Sequence, residues 1–168
     1  MIPPPVETLL LNSASREATL AIGVQIGRLL SGGEVICLSG DLGAGKTALA
    51  VGIGAGWGVS EAVHSPTFVF VHEHRRASGE RLYHIDAYRL RGVDDAESIG
   101  LEDIIGGDDP VLLEWAERVA VLIPSEALWI RLEAQAESPD ERAITLSASV
   151  GRGLFLLRRL AETHSDKG

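Results

Sequence analysis

Apolar runs separated by polar, glycine-marked breaks run the length of the chain, and the period of each run predicts its structure. Residues 6–11 read as a short strand, and Ser13 or Ser15 can cap a following helix that carries Glu17 in its first turn. Leu20, Val24, Gly27 and Leu30 recur at helical spacing and mark one face of that helix, which Gly32-Gly33 ends. Residues 34–39 form an apolar run of strand length, the pattern of a strand covered on both faces. A helix is expected over Lys46–Trp57, although Gly52, Gly54 and Gly56 each weaken it by about 1 kcal/mol relative to alanine. Tight packing against the sheet is the expected compensation.

Residues 68–74 and 81–86 are β-rich and flank a polar stretch, residues 75–80, so they predict a hairpin and bring an antiparallel strand into the sheet. Val111-Leu112-Leu113 is a further buried strand ending at Glu114-Trp115, and the helical piece after it must stop before Pro124. Residues 128–132 and 143–149 alternate apolar with polar positions and predict a closing hairpin with Ser138-Pro139-Asp140 at its turn. Residues 151–162 read as a last amphipathic helix, and residues 1–5 and 164–168 as flexible ends. With no internal repeat and no linker, the simplest architecture is a single α/β domain over residues 1–168, a mixed parallel and antiparallel sheet flanked by helices.

Composition narrows the function. A length of 168 residues with 45% hydrophobic and 23% charged residues fits one folded core and excludes a disordered chain. The net charge of −9 lacks the electrostatic footprint of an autonomous nucleic-acid binder, so any nucleic-acid role would be indirect. Residues 92–110 contribute seven acids and no lysine or arginine, which makes this segment either a solvated acidic surface or a face for a basic protein partner. Cys37 is the only cysteine, is flanked by apolar residues, and reads as a core thiol in a reducing compartment. Neither a secretory signal nor a membrane span is predicted, and the expected location is cytoplasmic.

Gly40-Asp41-Leu42-Gly43-Ala44-Gly45-Lys46-Thr47 fits G-x-x-x-x-G-K-[ST] between a predicted strand and a predicted helix, the context that this phosphate-binding motif requires. Its glycines let backbone N–H groups close around phosphate oxygens, Lys46 reaches the terminal phosphates, and the Thr47 hydroxyl can ligate Mg2+. Lysine occurs only at 46 and 167, against 13 arginines, so an arginine-biased chain kept lysine here. Such a site also needs an acid at the end of a second buried strand, and Asp86 and Glu114 are the two candidates. Thr67, in Ser65-Pro66-Thr67-Phe68, could sense the γ-phosphate as a switch residue. The sole asparagine is Asn12, so no N-K-x-D element can select guanine, and ATP is expected over GTP. His72 and His74 share a strand face but have no evident third metal ligand.

Taken together, the loop 40–47, Ser65-Pro66-Thr67-Phe68, the run Tyr83-His84-Ile85-Asp86-Ala87-Tyr88-Arg89-Leu90 and Leu113-Glu114-Trp115 resemble the TsaE (YjeE-type) ATPase family of bacteria. The likeness covers roughly residues 15–132. It implies a small magnesium-dependent P-loop ATPase needed for N6-threonylcarbamoyladenosine in tRNA, acting with TsaD and TsaB proteins rather than transferring the group itself. It also implies phosphate binding by Lys46, magnesium at Thr47 and Glu114, water activation or γ-phosphate sensing at Asp86, a switch role for Thr67, and Trp115 near the nucleotide. Ala48, Ala87 and Ala116 depart from a threonine, a leucine and a proline frequent in that family, and none of the three removes a proposed ligand. Two other classes fit the same loop: a small-molecule or nucleoside kinase, which would need an acceptor pocket and usually an arginine-bearing lid, and a nucleotide-sensing module that acts by binding.

Overall fold

The computed structural model describes residues 7–61 and 71–166. The chain opens with β1 (Glu7–Ser13) and α1 (Arg16–Leu29), followed by β2 (Val35–Ser39) and α2 (Lys46–Trp57), with the glycine-rich loop between the last two. The hairpin β3 (Val71–Arg75) and β4 (Arg81–Asp86) comes next, then two short helices, α3 (Val93–Ser98) and α4 (Leu101–Ile105). After β5 (Val111–Glu114) and a 3₁₀ segment (Ala116–Leu122), the chain closes with β6 (Leu128–Gln135), β7 (Ser138–Ala148) and α5 (Gly151–Ser165).

These strands form one mixed sheet in the order β1-β7-β6-β2-β5-β4-β3. β6, β2, β5 and β4 run parallel in the middle, while β1, β7 and β3 join antiparallel at the two sides. The apolar runs at β2 and β5 are buried because helices cover both faces: Ile36, Leu38 and Leu112 belong to one core cluster, and Cys37, Val111 and Leu113 to the other. Cys37 is a core thiol as expected, and its burial raises the thiol far above the ordinary range. Among the described residues, no helix is long and apolar enough to cross a membrane.

Ser15, of the two serines considered, caps α1, its side chain accepting from Ala18 N–H at 3.0 Å. The deepest face of α1 is Thr19, Ile22, Gly23, Ile26 and Gly27, rotated from the predicted stripe at Leu20 and Val24. The reason is the close approach of α2. A Cβ on Gly27 would lie 2.1 Å from Ile53 O, and one on Gly52 would lie 2.2 Å from Leu20 O. Gly52 and Gly56 of α2 are therefore matched by backbone contact with α1, not with the sheet as expected. Gly23 faces Leu49–Ile53 and Gly27 faces Ile53–Trp57, so the two helices run in the same direction and both begin beside the glycine-rich loop.

The C-terminal part of the chain differs from expectation in its last helix and in its closing hairpin. The last helix continues past residue 162 to Ser165, so residues 164 and 165 are helical rather than a frayed tail. The closing hairpin turns at Ala136-Glu137, not at Ser138-Pro139-Asp140. β6 and β7 pair Gln135 with Ser138 and Ala134 with Arg142, so residues 139–141 lie between these pairs as a bulge. Proline has no N–H for a ladder and is accommodated there.

Candidate active site

The loop 40–45 leaves the C-terminal end of β2 and enters α2, and glycine is required at both of its ends. Gly40 has φ +140°, and a Cβ there would meet Leu132 O at 2.4 Å. Gly45, at φ +103°, occupies the N-cap of α2 in the left-handed region and supplies no side chain to the first-turn N–H groups. The first turn of α2 carries no acidic residue. Its amides and the positive end of the helix dipole are thus open to an anion.

Lys46 follows, with only 6% of its surface exposed. Its ammonium donates to Gly40 O at 2.5 Å and to Asp41 O at 2.8 Å, and Nζ stands 4.2 Å from the centroid of the Trp115 ring. Burial pulls the ammonium below its ordinary range, against the opposing charges of Glu114, Glu117, Asp41 and Asp86. The lysine is consequently held in place by its own loop and short of a strong anionic partner.

The two predicted acids stand side by side. Asp86 and Glu114 are register partners at the ends of the parallel strands β4 and β5, so both side chains leave the same sheet face. Glu114 is buried: Oε2 accepts from His84 Nε2 at 2.7 Å, and Oε1 lies 3.5 Å from the Thr47 hydroxyl. Burial pushes the Asp86 carboxyl above its ordinary range and the Glu114 charge adds to this, while Tyr88 N–H, donating to Oδ1 at 2.9 Å, opposes it. Two adjacent carboxylates and a hydroxyl make an all-oxygen set, which suits a hard divalent cation.

A cavity of about 580 Å³ joins these groups. Of the predicted residues, Leu42, Gly43, Gly45, Lys46, Thr47, Asp86, Glu114 and Trp115 line it. Gly40, Asp41 and Ala44 do not: the first two present carbonyls to Lys46, and Ala44 O accepts from Arg142 Nε at 2.9 Å. Thr67, with the rest of Ser65-Pro66-Thr67-Phe68, lies outside the described residues. His72 and His74 do share a strand, with ring centroids 5.6 Å apart, but no group of three metal-binding side chains forms among the described residues.

The sequence profile described as "Threonylcarbamoyl adenosine biosynthesis protein TsaE" matches residues 13–144, a span holding the loop, both acids and Trp115. The chain belongs to the TsaE family. A relative named tRNA threonylcarbamoyladenosine biosynthesis protein TsaE, from Bacillus subtilis (strain 168), is 36% identical over 145 residues, which covers 86% of this chain and 89% of that one. The protein of the same name from Treponema pallidum (strain Nichols) is 38% identical over 130 residues, 77% of this chain and 94% of its own. In three dimensions the chain matches a crystal structure of Bacillus subtilis YdiB with a TM-score of 0.79 at 31% identity, over 94% of this chain and 97% of that one.

Beyond the motifs through which the TsaE likeness was legible, the fold brings further side chains to the cavity. Arg16 and Thr19 arrive from the start of α1, Asp140 from the bulge in β7 and Arg142 from the paired position directly after it. Arg142 Nη1 donates to Pro139 O at 2.5 Å and to Glu141 O at 2.9 Å, stitching the bulge while Nε grips the loop. No local pattern signals this, because it depends on an irregularity in the β6–β7 pairing and on a contact with a loop 98 residues earlier in the chain. His84 had a signal: it precedes Asp86 by two residues on one strand and so shares its face. Trp115 adds a backbone feature, being the only non-glycine residue with positive φ (+57°) among the described residues.

Proposed function

We propose that this chain binds ATP and Mg2+ in the cavity over loop 40–47 and hydrolyses ATP to ADP and phosphate. It does so as one component of the machinery that makes N6-threonylcarbamoyladenosine in tRNA, together with TsaD- and TsaB-type proteins. The observation that carries this reading is the convergence of Lys46, Thr47, Asp86 and Glu114 on one cavity at the C-terminal edge of the parallel strands. The relatives named for tRNA threonylcarbamoyladenosine biosynthesis supply the process.

In this reading the open amides of α2 and the Lys46 ammonium bind the phosphates, Lys46 exchanging its loop carbonyls for phosphate oxygens. Thr47 and Glu114 would hold magnesium, which supplies neutralisation of the charge on the phosphates. Asp86, whose carboxyl binds a proton more readily than usual, orients the attacking water and accepts its proton. Trp115 stands over the phosphate end, and Thr67 is assigned to the γ-phosphate side on the family likeness. The acidic α3–α4 segment repels a tRNA backbone, so contact with tRNA runs through the partner proteins.

The test is single-turnover ATP hydrolysis by the chain alone and after reconstitution with TsaD- and TsaB-type proteins and tRNA. Hydrolysis that rises on reconstitution and accompanies modified adenosine is expected. Transfer of phosphate to a small-molecule acceptor, or no hydrolysis in either state, would overturn the reading.

A further inference from the structure

His84 is the one fully buried histidine among the described residues, at 0% exposure on β4, an interior strand beside the edge strand β3. Its sheet neighbours in register are His72 on β3 and Leu112 on β5, and its ring lies 6.2 Å, centroid to centroid, from that of His74. An imidazole in such a place must spend its polar atoms on something. Nε2 lies 2.7 Å from Glu114 Oε2, whereas Nδ1 has no hydrogen-bond partner among the described residues. The carboxylate only accepts, so Nε2 is the donor of this pair.

Glu114 has two oxygens and two neighbours of different kinds. Oε2 is taken by His84, which leaves Oε1 beside the Thr47 hydroxyl at the rim of the cavity. Without the imidazole, that carboxylate would lose its one short hydrogen bond, and its charge already acts on Lys46. A freed carboxylate could therefore turn Oε1 away from Thr47, removing an oxygen from the divalent-cation site.

We propose that His84 is a positioning residue: its Nε2–H fixes Glu114 so that Oε1, with Thr47, faces the divalent cation. This rests on the proposed holding of magnesium by Glu114 and Thr47. Hydrogen bonds from an outer residue to a metal-binding carboxylate commonly set metal affinity by about 10- to 100-fold. A histidine serving the core alone would affect stability and leave the metal untouched.

The experiment is calorimetric titration of a non-hydrolysable ATP analogue into wild type, His84→Leu, His84→Gln and His84→Asn, in EDTA and in rising magnesium chloride. Glutamine can carry an amide N–H to about the position of Nε2, while asparagine is too short and leucine has no donor. For His84→Leu and His84→Asn the magnesium concentration giving half of the affinity gain should rise by at least about tenfold. Affinity in EDTA should stay within about twofold of wild type, and His84→Gln should recover most of the magnesium response. Thermal melts establish that each variant folds, and if His84→Leu does not, the comparison of glutamine with asparagine decides. A folded His84→Asn with the wild-type magnesium response, or His84→Gln no better than His84→Asn, would overturn the positioning role alone. A wild-type protein whose nucleotide affinity ignores magnesium would overturn the metal reading and this proposal with it.

Discussion

The Lys46 ammonium lies over the face of Trp115, 4.2 Å from the ring centroid, in a contact that links the glycine-rich loop to the end of β5. Trp115 reaches this position by adopting φ +57° and ψ +38° directly after Glu114, a left-handed conformation that costs a non-glycine residue on the order of 1 kcal/mol or more. A tilted ring contact with Tyr88, with centroids 4.9 Å apart and planes at 49°, helps to hold the ring there. Strain beside a site carboxylate thus places an aromatic face against the one lysine of the loop.

Because phosphate would draw Lys46 away from that ring, Trp115 fluorescence should change on ATP binding. Trp57, packed under Arg76, and Trp129, on β6, are the internal controls. Trp115→Phe should remove the nucleotide-dependent signal, and a signal that survives it would place the reporter elsewhere.

Glu114→Ala and Asp86→Ala should each lower the hydrolysis rate in the reconstituted assembly by about 100-fold or more, with nucleotide affinity changed only a few-fold. Carboxylates that hold metal or water act chiefly on the transition state. Both variants turning over at the wild-type rate would remove the assignment of these acids.

Asp86 is also a stability liability in the metal-free protein. Its carboxyl is raised above the ordinary range by burial and by Glu114, so the folded state binds that proton more tightly than the unfolded chain does. The cost is absent below the ordinary aspartate range, grows as pH rises to the raised value, and is complete above it. Asp86→Asn should therefore raise the melting temperature at neutral pH by roughly 1–3 °C, discounted for a carboxylate partly open to solvent, and the gain should vanish at low pH. A gain independent of pH would show that ionisation of the Asp86 carboxyl is not its source.

Gly27→Ala should destabilise the fold by about 1–3 kcal/mol in urea melts, because its Cβ would lie 2.1 Å from Ile53 O and 2.7 Å from Trp57 N. Backbone atoms cannot yield as a side chain tip can. Wild-type stability in this variant would mean that α1 and α2 are less closely packed.

The parts of this fold that sequence carries are those with local causes. The β2-loop-α2 unit is legible because an apolar strand, left-handed glycines and Lys46-Thr47 stand consecutively. Asp86 and Glu114 are legible as strand-end acids, but their adjacency is a matter of register between β4 and β5, which the intervening α3 and α4 separate in the chain. The same register brings His84 to Glu114. Pro139 reads as a turn residue, and only the pairing of Gln135 with Ser138 and Ala134 with Arg142 shows that it occupies a bulge, beside which Arg142 reaches the loop. Likewise, the glycines of α2 announce close packing without saying that the partner is α1.

The central claim is that loop 40–47 is the ATP site, and calorimetric titration of ATP with magnesium into wild type and Lys46→Ala tests it most directly. Wild type should bind with one-to-one stoichiometry. A folded Lys46→Ala protein should lose tight binding, weakening by at least about 10- to 100-fold, the equivalent of the ~1.5–3 kcal/mol of a hydrogen bond to a charged group. Unchanged ATP affinity in folded Lys46→Ala would contradict the claim.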